Sequence, residues 1–140
     1  MKAKKKYGQN FLIDKQVLNN IGDSINATEE DLIIEIGPGM GALTRVLKEK
    51  KSNLICFEID RDLIPTLKSL EDSKTKIINE DILKVDFKNI ISQYSFNKLY
   101  IVGNLPYYIT TPIIKHIIDS NVSVNEMVFM VQNEVADRFT

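Results

Sequence analysis

Five short apolar runs limit what this chain can fold into: DLIIEIG (31–37), LICFEID (54–60), KIINED (76–81), KLYIVG (98–103) and EMVFMVQ (126–132). Between them, apolar residues recur at helical spacing: Leu43, Val46 and Leu47 within 42–50, then Leu63, Ile64, Leu67 and Leu70, then a short segment at 87–94. Ahead of the first run, Val17, Leu18, Ile21 and Ile25 share one helical face. Strands that alternate with helices and are apolar on both faces belong in a parallel sheet covered on both sides. Right-handed crossovers then give an α/β fold, a doubly wound, mainly parallel sheet of the Rossmann-like type. Ligands of such sheets lie beyond the carboxyl ends of the strands, so each strand end is a place to look for chemistry.

Prolines and composition refine this outline. Pro65 falls in the first turn of its helix, where a missing N–H does least harm. Thr111-Pro112 reads as a helix start, with threonine as N-cap and proline at the first helical position. A length of 140 residues fits one domain, and 44% hydrophobic with 26% charged residues is ordinary for a soluble globular protein. No apolar run is long enough to cross a bilayer, and no signal-peptide pattern follows the basic N-terminus, so a cytoplasmic location is expected. The single cysteine, Cys56, excludes an internal disulfide, and no metal-ligand cluster is present. A net charge of −1 does not make the whole chain a polyanion binder. The run MKAKKKYGQN holds four lysines and no acid, which suits either a solvated terminus or an arm for phosphate backbones.

The first strand ends in EIGPGMGA (35–42), where Gly37, Gly39 and Gly41 let backbone approach a ligand closely. Apart from a plain tight turn, two cofactor patterns fit. Gly37-x-Gly39-x-x-Ala42 matches the dinucleotide fingerprint, and Glu35 with Gly37-x-Gly39-x-Gly41 matches the loop of S-adenosylmethionine (SAM) methyltransferases. Glu58, 21 positions after Gly37, is placed to accept from ribose hydroxyls, or is simply a solvated acid. Ile59 suits a purine face or the core. After the third strand, Asp81 suits either an exocyclic adenine amine, with Ile82 against the ring, or a helix N-cap.

The fourth strand ends in GNLPYY (103–108), and this set is more unusual. The Asn104 amide oxygen is an acceptor, and Pro106 holds Leu105 extended and fixes the direction of its carbonyl. Two acceptors thus aim at one point, with Tyr107 beside them to stack on a flat base. The set suits an exocyclic –NH2, whose lone pair is delocalised into its ring. Accepting both amine hydrogens favours a pyramidal nitrogen and frees that lone pair for attack. The proton then leaves after transfer, so no strong base is needed first. The plain alternative is a proline-containing loop with an Asn turn; a dinucleotide-dependent dehydrogenase has no use for this set. Tyr108 fits near the substrate or in packing, and His116 reads as a packing or surface residue.

Taken together, YGQNFLID (7–14), EIGPGMGALT (35–44), FEIDRDL (57–63), NEDIL (79–83), GNLPYYITTP (103–112) and MVQNEVADR (130–138) resemble the rRNA adenine N6-dimethyltransferases, most closely the bacterial small-subunit (KsgA-type) branch. The segments stand in family order across nearly the whole chain. The resemblance implies a class I SAM methyltransferase fold with SAM as cofactor. It implies that Asn10 and Leu12 close over the methionine end of SAM, and that Gly37 and Gly39 line its methionine and ribose side. Glu58 would bind the ribose hydroxyls and Asp81 the adenine amine, with Ile59 and Ile82 around that ring. Asn104 and the Leu105 carbonyl, set by Pro106, would hold the target amine, with Tyr107 stacked on the target adenine. The implied substrate is two adjacent adenines in a hairpin loop near the 3′ end of small-subunit rRNA, each dimethylated on an assembling small ribosomal subunit. A non-catalytic RNA-binding or ribosome-assembly factor keeping the SAM pocket is the alternative, and an NAD-binding dehydrogenase domain a more distant one.

Family members run on considerably further, adding strands and a helical C-terminal domain. The resemblance therefore implies that residues 1–140 are an incomplete catalytic domain, its sheet stopping after the fifth strand, with activity of this chain alone in doubt. The apolar edge 127–131 is then expected to pair with a neighbour and give a non-native dimer or aggregate.

Overall fold

The computed structural model describes residues 15–132. Helix α1 (Lys15–Ser24) leads into β1 (Leu32–Ile36), α2 (Ala42–Lys48) and β2 (Asn53–Phe57). A 3-10 turn at Arg61–Leu63 opens α3 (Ile64–Lys68), followed by β3 (Thr75–Ile78), a second 3-10 turn at Ile82–Lys84, and α4 (Phe87–Ile91). Strand β4 (Leu99–Pro106), helix α5 (Tyr107–Asp119) and β5 (Glu126–Gln132) complete the described part.

The strands form one parallel sheet in the order β3-β2-β1-β4-β5. Each strand of the first half is added on one side of β1, and β4 and β5 on the other. The order therefore reverses between β1 and β4, which is the switch point of a doubly wound sheet. β1 lies at the centre with all five residues buried. Its register pairs Ile34 with Ile55 on one side and Ile101 on the other.

Alternating residues divide the core in two. Ile34, Ile36, Phe57 and Ile101 pack under Phe87 and the α5 residues Ile113 and Ile117. Ile33, Leu54, Cys56 and Val102 pack under Leu18 of α1, Leu43 and Leu47 of α2, and Leu67 of α3. At the foot of the sheet, Asp31 fastens the two halves: its carboxylate accepts from the Thr28 N–H (2.8 Å) and hydroxyl (3.2 Å), and from the Lys98 N–H (3.1 Å).

Several boundaries differ from the expectation. The strands expected over 54–60 and 76–81 end at Phe57 and Ile78, so Glu58, Ile59 and Asp81 stand beyond them in loops. β4 instead runs on to Pro106, because Asn104, Leu105 and Pro106 pair with Met130, Val131 and Gln132 of β5. The helix expected to start at Thr111-Pro112 starts at Tyr107, with Pro106 as its N-cap and Pro112 in its interior. Pro106 fixes its own φ at −59° and turns the chain out of the strand at once, leaving no linker. Pro65 does occupy the first turn of α3.

Candidate active site

The loop from Gly37 to Gly41 links β1 to α2 through three left-handed glycines, with φ of 69° at Gly37, 59° at Gly39 and 87° at Gly41. A side chain at Gly37 would stand 3.1 Å from Leu105 Cδ2, so the glycine lets the ends of β1 and β4 close on each other. A methyl group at Gly39 would meet no atom within 4 Å, so only its backbone conformation demands glycine there.

Glu58 holds this loop from the neighbouring strand end. Its Oε1 accepts from the Gly39 N–H at 3.0 Å and its Oε2 from the Asp60 N–H at 2.9 Å. The side chain is buried, so these charge-assisted bonds are shielded from water. Asn79, beyond β3, donates its amide to the Glu58 carbonyl at 2.8 Å and ties the third strand end to the second.

Beneath the loop lies a buried polar cluster. Glu35, at register with Cys56, accepts at Oε1 from the Thr44 hydroxyl (2.6 Å) and the Cys56 thiol (3.4 Å). Burial pushes the Glu35 carboxyl up from 4.5 to about 7, against the lowering effect of those two donors, with the nearby Glu58 charge adding to the rise. Burial, followed by the Glu35 charge, pushes the Cys56 thiol well above its usual range. This cluster links β1, β2 and the first turn of α2 across the glycine loop.

The end of β4 is arranged differently. Asn104 Oδ1 is buried and has no hydrogen-bond partner among the described residues. Leu105 is buried in the core, directed there by the strand alternation, with its side chain against Gly37 and the Asn104 carbonyl next to it at the switch point. Tyr107 and Tyr108 open α5 and are 63% and 71% exposed, so neither ring packs in the described core. The Pro106 carbonyl accepts from the Thr110 hydroxyl at 3.2 Å, which secures the first turn.

The switch point thus brings together Gly37, Gly39, Glu58, Asn104, Leu105, Pro106 and Tyr107. Asp81 stands at the outer strand end, where its Oδ1 caps the following 3-10 turn by accepting from Leu83 N–H at 3.0 Å. Ile82 is 7% exposed and belongs to the core, whereas Ile59 is 67% exposed and does not. A flat apolar ligand at this edge therefore has Ile59 available to it, and Ile82 only from beneath. Asn10 and Leu12 lie outside the described residues. His116 is a packing residue: Nε2 lies 2.8 Å from the Val85 carbonyl and the ring meets Phe87.

Thr44 and Asn79 are the positioning residues that the strand-end reading passed over. Their signal was present. A glutamate inside LIIEI must be buried and needs a donor, and Thr44 is the hydroxyl one helical turn past the loop.

Comparison with known proteins gives this geometry a family. Residues 1–140 match the family described as ribosomal RNA adenine dimethylase. The "Ribosomal RNA small subunit methyltransferase A" of Lachnoclostridium phytofermentans is 49% identical over 96% of this chain and 48% of its own length. The protein of that name from Alkaliphilus oremlandii is 44% identical over 98% of this chain and 49% of its own. The chain therefore spans about half the length of these relatives. Among solved structures, a dimethyladenosine transferase from Plasmodium falciparum superposes with a TM-score of 0.69 at 25% identity, covering 89% of this chain and 44% of that one. The 23S rRNA methyltransferase ErmE shares the fold, with a TM-score of 0.68 at 23% identity over 88% of this chain and 48% of its own. With the family match running from the first residue to the last, and with relatives 44% and 49% identical, the chain belongs to the ribosomal RNA adenine dimethylase family.

Proposed function

We propose that residues 1–140 are the SAM-binding, catalytic part of an enzyme that dimethylates the N6 amine of adenine in small-subunit rRNA. The observation that carries this reading is the buried Asn104 Oδ1, without a partner among the described residues, at the switch point between the glycine loop and the exposed Tyr107. A buried acceptor left without a donor costs about 1–3 kcal/mol. The N–H of a bound substrate relieves that cost.

The residues present suit SAM. The open space over Gly39 admits a ligand against backbone, and the Glu58 carboxylate, which already holds that loop at the Gly39 N–H, is an acceptor of the kind that ribose hydroxyls require. Asp81 Oδ2, which no described residue engages, suits the adenine amine, and the exposed Ile59 suits the face of that ring. Asn10 and Leu12 are assigned to the methionine end on family resemblance alone. SAM, when bound, supplies a methyl group on an electron-poor sulfonium.

The chain does the rest by positioning. Tyr107 stacks on the target adenine, unpaired because an amine inside a stem is out of reach. Asn104 Oδ1 and the Leu105 carbonyl accept the two amine hydrogens and turn the nitrogen lone pair out of conjugation. Pro106 fixes that carbonyl. The surplus proton passes to solvent after transfer. The relatives' names support small-subunit rRNA as the substrate; on family resemblance alone, the targets are two adjacent adenines in a hairpin loop near its 3′ end, met in the cytoplasm on an assembling subunit.

Calorimetric titration of the chain with SAM, and separately with NAD, tests the cofactor half. The expected result is SAM binding that Glu58→Ala weakens more than tenfold, in line with the roughly 1.5–3 kcal/mol of a charge-assisted hydrogen bond. NAD binding without SAM overturns the reading in favour of a dehydrogenase domain.

A further inference from the structure

Tyr108 is one of the most exposed large side chains of the described residues, at 71%, and none of the other described residues holds its side chain by a hydrogen bond or its ring by a stacking contact. It follows Tyr107 directly in the first turn of α5. The buried face of that helix runs through Thr110, Ile113 and Ile117. At helical spacing Tyr108 falls nearly opposite that face, in line with Thr111 and Lys115, so the fold of α5 makes no use of its ring. Side chains on a helix tilt toward its N-terminus. A first-turn ring is therefore directed to the end of α5 that meets Asn104 and the glycine loop.

The backbone at Tyr108 is also set apart. Pro112 has no N–H to give to the Tyr108 carbonyl, so the usual helical hydrogen bond at that carbonyl is missing. An aromatic ring and a carbonyl acceptor thus stand together on the solvent side, next to the ring assigned to the target adenine.

We propose that Tyr108 is a second stacking platform, for the base that neighbours the target in the RNA strand. The inference rests on the reading of Tyr107 as the target's platform. Consecutive helical side chains diverge by about 100°. Two bases stacked on each other cannot both lie on rings so arranged; they must be splayed apart. Tyr107 and Tyr108 then act as a wedge that breaks the stack between target and neighbour, as single-stranded RNA recognition by aromatic residues requires. Since every base offers a π-face, the platform contributes affinity and register without choosing the neighbour's identity.

The chain contains no tryptophan, so a Tyr→Trp substitution places a single reporter whose fluorescence a stacked base quenches. Tyr107→Trp and Tyr108→Trp are titrated with adenosine monophosphate and with the single-stranded tetranucleotide rA4. The expected result is that Tyr107→Trp responds to both and Tyr108→Trp to rA4 only. In parallel, Tyr108→Ala weakens rA4 about tenfold more than the mononucleotide, within the range found for base–aromatic stacking, and Tyr108→Phe restores it. Response of Tyr107→Trp alone sinks the inference and leaves the target site standing. Silence of both reporters overturns the target site and the inference with it. Equal response of Tyr108→Trp to both ligands places its ring on the target and overturns the assignment to the neighbour. Loss of folding stability in Tyr108→Ala, with rA4 affinity of Tyr108→Phe unchanged and Tyr108→Trp silent, makes Tyr108 a packing residue.

Discussion

The two halves of the switch point treat their polar groups in opposite ways. At the ends of β1 and β2, Glu58 takes a backbone N–H on each oxygen, and Glu35 takes a hydroxyl and a thiol on one. At the end of β4, Asn104 Oδ1 is buried with no partner among the described residues, and two tyrosines face solvent. The first half is already organised, its loop held by bonds that exist before any ligand arrives. The second half carries unmet demand. A side that must place a cofactor the same way every turnover gains from internal bonds. A side that must attract one particular amine gains from an acceptor which only that amine satisfies, as differential binding requires.

The largest expected effect tests how settled the first half is. Glu35 has its pKa raised to about 7 from 4.5. In the folded state it holds its proton where the unfolded chain has lost it, so its stabilising contribution is full below about pH 4.5 and is lost as pH rises through about 7. Wild type should lose about 3 kcal/mol across that window relative to Glu35→Gln, which has no proton to lose. Urea unfolding at half-unit pH steps measures the difference. Parallel curves for the two proteins would mean that the cluster under the loop relaxes when charged.

Smaller in size is the loss expected for Glu58→Ala, about 2 kcal/mol in urea unfolding, because the Gly39 and Asp60 N–H groups lose a charged acceptor. Glu58→Gln keeps an acceptor oxygen for one of them and should recover about half. If Glu58→Ala unfolds like wild type, the loop is held by its own glycines and the preorganised half of the contrast disappears.

How far the sequence disclosed this site follows the same divide. The sheet, its parallel order and the strand-end loops were legible because apolar runs and glycines act locally. So was the place of Asn104 to Tyr107 at the strand end, since Pro106 dictates both its own φ and the extension of Leu105. Other features depend on neighbours that are distant in the chain. Asp81 suited a ligand or a cap equally, and only the position of Leu83 N–H shows that one oxygen caps. Ile59 and Ile82 looked alike in sequence, but strand β2 stops at Phe57 and turns Ile59 outward, while the 3-10 turn tucks Ile82 into the core. The start of α5 was misplaced because Thr111-Pro112 is a strong local signal, whereas Tyr107 becomes helical through the packing of Ile113 and Ile117 on the sheet.

The smallest expected effect has the opposite sign and bears most directly on the contrast. Thr44→Ala removes the shorter of the two donors to the buried Glu35 carboxyl and leaves it only the weak Cys56 thiol, which should cost about 1–3 kcal/mol. Asn104→Ala also truncates a polar side chain at the switch point, but it removes an acceptor that no described residue meets. The relief of that burial offsets the lost packing, so stability should stay level or rise by about 1 kcal/mol or less. Binding of adenosine monophosphate should nevertheless fall. Urea unfolding paired with that titration separates the two readings of Asn104. Stability and ligand binding falling together would mark it as an ordinary structural residue with a partner in the folded chain. Binding lost at unchanged stability is what an acceptor reserved for a substrate amine must give.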